Sequence, residues 1–429
     1  MKYPDQLTVP VKACKNPLNA RVPGSKSLTN RALIAAALCL EDVELKGPLK
    51  SEDTELAFEA LAKLGVCIEC DNDSWHVKGG GLKSIQPNTQ LYLGNAGTAV
   101  RFLTSVLSTK NLQCSVTGSE RMLERPIELL TGALNDLGAN IQSDNKNGCL
   151  PLTILPSVLK GGEVSISGKV SSQYFSGLMM AAPLALNKSV IKVSDKWLSL
   201  PYIEMTHKML QSFGLEMELG ADTISIPGGQ QYSSPGTYSI EPDATAATYP
   251  LALGVLHGTP VSLEGLGAQS LQGDVRFAEV MEMMGCELSW AKQKISLNPP
   301  ERLKSIETDL NDIPDAAMTI VTLACVAEGV SRFTGLSNLA FKECDRLKAL
   351  ECELNKMGAK VQANADGFVI EGVPIKELKG AEIHTYDDHR MAMCLALLGT
   401  IVPDTVIYDP SCVKKTYPNF WDDLTNWLN

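Results

Sequence analysis

The 429-residue sequence lacks the basic surplus that most nucleic-acid-binding proteins carry. Its 38 lysines and arginines are outnumbered by 49 aspartates and glutamates, so the formal net charge at pH 7 is −11. An acidic chain is repelled by a phosphate backbone, which argues against a nucleic-acid partner. Any local cluster of cations therefore stands against an acidic background.

Long apolar runs are missing as well. The longest, 177–186 and 391–402, are shorter than the ~20 residues of a membrane-spanning helix, and the N-terminus has no apolar signal core. The twelve cysteines are scattered and do not resemble a disulfide framework. Strand alternation would point Cys67 and Cys70, a Cys-x-x-Cys pair, to opposite faces. We expect a cytoplasmic protein with no membrane partner and no metal.

The common cofactor and nucleophile motifs are incomplete. Gly24-Ser25-Lys26-Ser27 ends like a phosphate-binding loop, but the upstream glycine at the required spacing is absent. Gly94 and Gly97 do not make up the dinucleotide-binding fingerprint, and no nucleophile elbow is present. The sequence therefore predicts no cofactor.

What the sequence does contain is an internal repeat, marked by a large apolar residue followed by glycine. The pairs are Leu64-Gly65, Leu137-Gly138, Phe213-Gly214, Met284-Gly285 and Met357-Gly358. Successive glycines are 73, 76, 71 and 73 residues apart. Each pair ends a helix-periodic stretch, where glycine suits the C-terminal cap, and precedes two short strands.

A second helix opens each repeat, and its start recurs at the same interval. The marker residues are Lys26, Asn95, Ser172, Asp243, Asp315 and Asp388. Their spacings are 69, 77, 71, 72 and 73 residues, and small apolar residues typical of buried helices follow them. The repeat is therefore strand, helix, strand, helix, hairpin, in six copies.

The sixth copy lacks its hairpin because the chain ends, and a hairpin over 7–11 and 19–22 is left over at the N-terminus. We expect that hairpin to complete the sixth copy. An α/β protein of two domains follows, each with three βαβαββ repeats. The domains are residues 1–22 with 242–429, and residues 23–241, with the active site in the cleft between them.

Cationic side chains recur at the starts of these helices. A cation there opposes the helix dipole, so its repetition indicates an anion bound between them. Asp315 and Glu343 are available for proton transfer. For single residues a structural role is the alternative: Ser171, Asn95 and Asp315 could be helix caps, and His389 a buried or capping histidine.

Four motifs carry a resemblance to a known family. They are Pro23-Gly24-Ser25-Lys26-Ser27-Leu28-Thr29-Asn30-Arg31, Leu93-Gly94-Asn95-Ala96-Gly97-Thr98-Ala99, Lys342-Glu343-Cys344-Asp345-Arg346-Leu347 and Asp388-His389-Arg390-Met391-Ala392-Met393. In register over essentially the whole chain, they resemble the 5-enolpyruvylshikimate-3-phosphate synthases. The resemblance implies the two-domain enolpyruvyl transferase fold, an inverted α/β barrel. It also implies transfer of the enolpyruvyl group of phosphoenolpyruvate to the 5-hydroxyl of shikimate 3-phosphate, a step of aromatic amino acid biosynthesis.

The resemblance also implies site residues. For the reaction it implies, we expect Asp315 to act as the base toward the hydroxyl, Glu343 to act as the acid, and Lys26 to stabilise charge. The residues that correspond to the shikimate 3-phosphate site are Lys26, Ser27, Arg31, Ser171, Ser172, Gln173, Ser199, Tyr202, Asp315, Asn338 and Lys342. Those that correspond to the phosphoenolpyruvate site are Lys26, Asn95, Gly97, Arg125, Gln173, Arg346, Arg390 and Lys415. The partners implied are these two small molecules, for a monomer without cofactor or metal.

Departures from the family pattern are modest: Val100 and Phe102 stand where Met and Pro are common, and Cys344 stands where Thr is common. Two alternative functions fit the sequence less well. The sister transferase acting on UDP-N-acetylglucosamine carries a reactive cysteine in the loop that corresponds to 120–124, which here contains none. A non-catalytic anion-binding protein would be expected to lose the acid and base groups, and both are present.

Overall fold

A computed structural model describes most of the chain, which divides into two compact units. The described residues are 3–14, 16–71, 73–82, 86 and 88–429. The contiguous unit is Gly24–Glu241. The two-segment unit consists of Met1–Pro23 and Pro242–Asn429.

Helices and short strands alternate along the described part of the chain. The helices are α1 Lys26–Leu38, α2 Glu52–Lys63, α3 Gly97–Leu107, α4 Glu120–Glu124, α5 Glu128–Asp136, α6 Ser172–Ala181, α7 Leu200–Ser212, α8 Ala244–His257, α9 Phe277–Met283, α10 Pro314–Ala324, α11 Arg346–Lys356, α12 His389–Gly399 and α13 Phe420–Trp427. The strands are β1 Gln6–Thr8, β2 Leu18–Ala20, β3 Val43–Lys46, β4 Ile68–Cys70, β5 Ser74–Val77, β6 Thr89–Tyr92, β7 Cys114–Thr117, β8 Ile141–Ser143, β9 Leu152–Ile154, β10 Gly162–Ile166, β11 Ser189–Val193, β12 Glu218–Leu219, β13 Thr223–Ile226, β14 Thr237–Ser239, β15 Val261–Glu264, β16 Glu287–Ala291, β17 Lys294–Asn298, β18 Glu307–Asp309, β19 Val330–Thr334, β20 Lys360–Ala363, β21 Phe368–Glu371, β22 Glu382–Ile383 and β23 Val406–Tyr408. Short 3-10 helices cover Ala182–Leu184, Gly273–Arg276, Ser337–Phe341, Ile375–Glu377 and Pro410–Lys415.

Among its described residues, the contiguous unit contains three four-stranded sheets, with strand orders β14-β3-β5-β4, β6-β7-β9-β8 and β10-β11-β13-β12. In each sheet the first two strands are parallel and the other neighbours are antiparallel. Two of the parallel pairs are joined by a helix, α3 or α6, since parallel strands need a crossover connection. Burial alternates along β3, where Val43 and Leu45 are buried and Lys46 is exposed.

The described residues of the two-segment unit follow the same plan with one strand fewer. Its strand orders are β16-β17-β15-β2, β18-β19-β21-β20 and β1-β23-β22. Strands β2 and β15, β18 and β19, and β22 and β23 form its parallel pairs. Within the described residues, the predicted repeat of strand, helix, strand, helix and two strands is confirmed in five copies, followed by a shorter sixth.

The predicted N-terminal hairpin is wrong, because its two strands lie in different sheets. Strand β1 pairs antiparallel with β23, with Leu7 opposite Ile407. Strand β2 pairs in parallel with β15, with Asn19 opposite Ser262. The reason is topological. Strand β2 leads into α1 and β14 leads into α8, but each strand stays in one unit while its helix belongs to the other. As a result, β2 is the parallel neighbour of β15 in the two-segment unit, and β14 is the parallel neighbour of β3 in the contiguous unit.

A glycine ends the second helix of each of the first five repeats. These glycines are Gly65, Gly138, Gly214, Gly285 and Gly358, with φ between +76° and +110°. The backbone there is left-handed, which glycine adopts without a steric cost. The apolar residue before each glycine is the helix C-cap and is at most 1% exposed. The predicted C-terminal caps are therefore confirmed.

The first helix of several repeats is buried almost all round. In α1 every residue from 28 to 38 is buried, and so is every residue of α3 and of α12. A helix without a polar face belongs in a core. The first turns of two of these helices nevertheless carry charged residues, which are Lys26 in α1 and Arg390 in α12.

Among the residues that the structure describes, none of the helices has both the length and the apolar character needed to cross a membrane.

Candidate active site

In the contiguous unit, the polar residues of the α3 start gather around Gly97. The Oδ1 atom of Asn95 accepts a hydrogen bond from Arg125 Nη1 at 3.2 Å, and Arg101 Nη1 donates to the Gly97 carbonyl at 2.9 Å. A Cβ atom on residue 97 would lie 2.5 Å from Arg101 Nη1 and 3.1 Å from both Nη atoms of Arg125. A side chain at position 97 would therefore displace the ends of two guanidinium groups. Asn95 is not the cap of α3, since that position belongs to Ala96.

Arg31 is a buried cation with neutral partners. Its Nε donates to Thr206 Oγ1 at 2.7 Å, and its Nη2 donates to Ser176 Oγ at 3.2 Å. Its Nη1 donates to the Ser27 carbonyl at 3.0 Å, and its guanidinium lies 4.8 Å from the centre of the Phe102 ring. Burial lowers the pKa of Arg31 to about 10, so the side chain is charged at neutral pH. Because these three hydrogen bonds go to neutral oxygens, they leave its positive charge uncancelled, and that charge attracts anions.

The starts of α1 and α6 supply three further predicted residues. Lys26 is the first residue of α1, and its Nζ lies 3.6 Å from a carboxylate oxygen of Asp53. The Ser171 hydroxyl accepts the N–H of Gln173 at 3.3 Å and so caps α6. The Gln173 Nε2 donates to Thr98 Oγ1 at 3.1 Å, which links α6 to α3.

Three more predicted residues with hydroxyl groups also lie at helix starts. Ser172 is the first residue of α6. Ser199 is the N-cap of α7 and has a left-handed backbone, with φ of 56°. Tyr202 lies in the first turn of α7, and its carbonyl accepts a hydrogen bond from Thr206 at 2.7 Å. Since Thr206 also holds Arg31, α7 is tied to the buried cation.

In the two-segment unit, the predicted residues converge on Asp315. Its Oδ1 lies 3.1 Å from Arg346 Nη1 and 3.4 Å from Lys342 Nζ. Its Oδ2 lies 3.0 Å from Arg390 Nη2. The N-cap of α10 is Ile313, so Asp315 does not cap that helix. Its carboxylate instead brings three cations together.

Two further carboxylates hold Arg346. Its Nη2 lies 3.0 Å from Glu343 Oε2, and Asp388 accepts from its Nε at 2.7 Å and from its Nη2 at 3.2 Å. Arg346 is 1% exposed and Asp388 is fully buried. Burial alone would lower the pKa of Arg346, but Asp388, Glu343 and Asp315 together raise it well above the ordinary value. The guanidinium is therefore charged and fixed in orientation.

The repeat spacing identified Asp388 only as the start of a helix. In the structure its carboxylate also accepts hydrogen bonds from Cys344 and Arg346. Its carboxylate caps α12 by accepting the N–H of Arg390 at 2.9 Å. The Cys344 thiol donates to its Oδ2 at 3.6 Å. Burial and the Asp388 charge raise the pKa of Cys344, which keeps the thiol protonated. The neighbouring His389 is fully buried.

The last predicted residues lie in 3-10 helices. Asn338, in Ser337–Phe341, is 4% exposed, and Lys415, at the end of Pro410–Lys415, is 7% exposed. Near Lys415 lies Asp387, which the sequence did not single out. Burial raises the pKa of Asp387, and the Lys415 charge opposes that rise.

Pro126 follows Arg125 and, although proline is common in the first turn of a helix, it lies between α4 and α5. Arg125 is the C-cap of α4, and α5 begins at Glu128 with Ile127 as its N-cap. The Arg125 backbone is extended, with φ of −77° and ψ of 124°, because a following proline disfavours helical angles. Arg125 therefore reaches the Gly97 cluster from the end of a helix.

Several residues that contact the predicted site residues belong to none of the recognised sequence motifs. The Arg101 guanidinium lies 5.6 Å from the centre of the Tyr174 ring, whose hydroxyl donates to the Pro126 carbonyl at 2.6 Å. Asp53 pairs with Lys26. An acidic residue in the first turn of a helix is ordinarily explained by the helix dipole, so no signal singled out Asp53.

The chemistry of the site is that of cations and carboxylates. Within the described part of the chain, no group of three His, Cys, Asp or Glu side chains is placed to hold a metal ion. All twelve cysteines are free thiols. Each of the two units consists of three repeats and carries a cation in the first turn of a buried helix, Lys26 in one unit and Arg390 in the other.

Comparison with known proteins gives the family. The family model described as EPSP synthase (3-phosphoshikimate 1-carboxyvinyltransferase) matches residues 15–424. The chain therefore belongs to the EPSP synthase family.

Individual relatives agree over nearly the full length. The chain is 43% identical over 409 residues to the 3-phosphoshikimate 1-carboxyvinyltransferase of Idiomarina loihiensis, covering 94% of this chain and 95% of the relative. It is 40% identical to the chloroplastic enzyme of that name from Arabidopsis thaliana, covering 94% and 81%. Among solved structures, the EPSP synthase of Acinetobacter baumannii matches with a TM-score of 0.79 at 25% identity, covering 97% of both chains.

Proposed function

We propose that this protein transfers the enolpyruvyl group of phosphoenolpyruvate to the 5-hydroxyl of shikimate 3-phosphate. The products are 5-enolpyruvylshikimate 3-phosphate and phosphate. The observation that carries the proposal is the cluster at Asp315, where one carboxylate contacts three cations, in a chain that matches the family over residues 15–424.

The charge of the substrates explains the cations. Both molecules carry a carboxylate and a phosphate, so they repel one another unless cations lie between them. Arg31 and Arg101 hydrogen-bond neutral oxygens, which leaves their charge available to an anion. Arg346 and Arg390 offer planar forks that match carboxylate and phosphate.

The assignment of ligands follows the family resemblance and is part of the proposal. Shikimate 3-phosphate is bound by Lys26, Ser27, Arg31, Ser171, Ser172, Gln173, Ser199, Tyr202, Asp315, Asn338 and Lys342. Phosphoenolpyruvate is bound by Lys26, Asn95, Gly97, Arg125, Gln173, Arg346, Arg390 and Lys415. The proposal therefore requires residues of both units to act on the same pair of substrates.

The first step is addition. The substrate anions compete with Asp315 for its three cations, which frees its carboxylate oxygens to accept the proton of the 5-hydroxyl. As that oxygen attacks carbon 2 of phosphoenolpyruvate, Glu343, which is protonated once the substrate anions displace it from Arg346, gives its proton to carbon 3. The result is a tetrahedral intermediate that still carries the phosphate.

The second step is elimination. Carbon 3 returns its proton to Glu343, the double bond re-forms, and the bond from carbon 2 to the phosphate oxygen breaks. The proton first taken by Asp315 leaves with the phosphate, so Asp315 is again a carboxylate and Glu343 again carries its proton. Lys26 stabilises charge as the phosphate departs.

The proposal extends to the setting of the enzyme. The protein acts in the cytoplasm as a monomer on small molecules, without a cofactor, a metal, a membrane or a nucleic acid. The net charge of −11 supports the exclusion of nucleic acid. The sedimentation coefficient of the purified protein tests whether it is a monomer in solution.

The test of function is incubation with phosphoenolpyruvate and shikimate 3-phosphate in the presence of a metal chelator. Inorganic phosphate and the enol ether product are both followed, and they should appear in equal amounts. Phosphate release only with UDP-N-acetylglucosamine would assign the sister activity. Binding of both substrates without phosphate release would leave an anion-binding protein and overturn the proposal.

A further inference from the structure

A buried network lies beside the Asp388 motif and outside the residues assigned above. Glu353 of α11 is fully buried, and Lys356 Nζ donates to its two carboxylate oxygens at 2.8 and 2.7 Å. The His384 N–H donates to Oε2 at 3.1 Å, and the Tyr386 hydroxyl donates to Oε1 at 2.6 Å. A buried carboxylate is tolerated only when it is paired in this way.

Two of these donors come from a strained segment. Tyr386 and Asp387 are consecutive and both left-handed, with φ of 56° and 54°. Residues with a side chain rarely adopt such angles, and they persist only where the surroundings enforce them. The segment 384–388 leads directly into Asp388 and the first turn of α12, which carries Arg390.

The segment is attached to α11 at two points. Arg346, the first residue of α11, binds Asp388, and Glu353 binds the backbone of His384 and the side chain of Tyr386. Positions 346 and 353 are seven residues apart, which is close to two helical turns, so they lie on the same face. The contact at Arg346 belongs to the proposed site, whereas the contact at Glu353 lies two turns away.

We propose that Glu353 is a positioning residue for phosphoenolpyruvate. Its carboxylate holds segment 384–388 along α11 and thereby sets the orientation of Asp388 and Arg390. This inference rests on the proposed function, in which phosphoenolpyruvate is the ligand of Arg346 and Arg390.

The Tyr386 side chain makes the inference testable without disrupting a core. Tyr386 is 45% exposed, so removal of its hydroxyl leaves no buried cavity. Desolvation and the hydrogen bond to Glu353 raise the pKa of Tyr386, so the hydroxyl remains a donor at neutral pH.

The experiment compares Y386F, E353Q and the double variant with the wild type. The matched control is E371Q, which removes the charge of an exposed carboxylate that pairs with Lys360. Each protein is characterised by KM for both substrates, kcat, the thermal midpoint, and hydrogen exchange over 384–388. If the wild type shows no turnover, the proposed function fails, and Kd for phosphoenolpyruvate replaces KM in the same comparison.

We expect Y386F and E353Q to raise KM for phosphoenolpyruvate about five- to twentyfold, since hydrogen bonds to charged groups are the strong ones. KM for shikimate 3-phosphate should stay within about twofold. Backbone hydrogen exchange over 384–388 should be faster in both variants. KM for phosphoenolpyruvate should be no higher in the double variant than in E353Q, because both substitutions remove the same hydrogen bond. E371Q should behave as the wild type. An unchanged KM for phosphoenolpyruvate, or an equal rise for both substrates with a lower thermal midpoint, would overturn the inference.

Discussion

The substitution Gly97→Ala tests the arrangement of the two guanidinium groups around α3. The added Cβ would lie 2.5 Å from Arg101 Nη1, where ordinary contact begins at 3.4 Å, so this nitrogen must retreat by about 0.9 Å. Both Nη atoms of Arg125, at 3.1 Å, must move by about 0.3 Å. These atoms are the ends of flexible side chains, so the helix itself is not displaced.

Stability should change little, because two terms oppose each other. Alanine is favoured over glycine in a helix by about 0.5–1 kcal/mol. The hydrogen bond from Arg101 to the residue 97 carbonyl contributes about 1 kcal/mol and is weakened. The substitution should instead weaken the binding of phosphoenolpyruvate, because a positioning error near 1 Å reduces activity up to about 100-fold. We expect KM for phosphoenolpyruvate to rise about 10- to 100-fold.

The assay measures initial phosphate release with phosphoenolpyruvate varied and shikimate 3-phosphate saturating. Inhibition by glyphosate, the inhibitor of the family, is measured in parallel and should weaken. The control is Gly132→Ala in α5, where an added Cβ meets no atom within 4 Å. If Gly97→Ala left both KM for phosphoenolpyruvate and the inhibition unchanged, the argument from the two guanidinium groups would be refuted.

Three other substitutions test separate parts of the site and the fold. Asp315→Ala should lower kcat at least about 1000-fold, as expected when an acid–base group is lost, while both substrates still bind in calorimetry; near-normal kcat would remove Asp315 from the mechanism. Asp388→Asn should lower the free energy of unfolding by about 3–5 kcal/mol, because it breaks a buried ion pair with Arg346, and urea unfolding that matches the wild type would contradict this. Burial lowers the pKa of His257, so the unfolded state binds the proton first as pH falls below about 6.5 and stability declines from there. Thermal midpoints should therefore fall more steeply from pH 7 to 5 in the wild type than in His257→Gln, and parallel curves would exclude this histidine as the cause.

Helix boundaries could be predicted from the sequence because capping acts over a few residues. Gly358 follows the C-cap of α11 and adopts φ of +85°, a conformation that depends on the absence of its own Cβ. Asp388 accepts a hydrogen bond from the N–H only two residues later. The recurrence of such local signals was sufficient to predict the repeat.

The sequence motifs also named many of the residues that the structure brings together, but not the contacts between them. Asn95 and Asp315 are typical caps by residue type, and each instead pairs with an arginine. Asp315 lies 31 residues from Arg346 and 75 residues from Arg390 in the chain. No local rule predicts a contact over such a separation.

The same distinction applies to the strands. Strands that flank each helix can be predicted from local patterns, because alternation and turn residues act over a few positions. The pairing of β2 with β15 and of β14 with β3 depends on the fold as a whole. Strand pairing joins residues hundreds of positions apart, such as Asn19 and Ser262, and the choice of partner depends on which edge the rest of the fold leaves open.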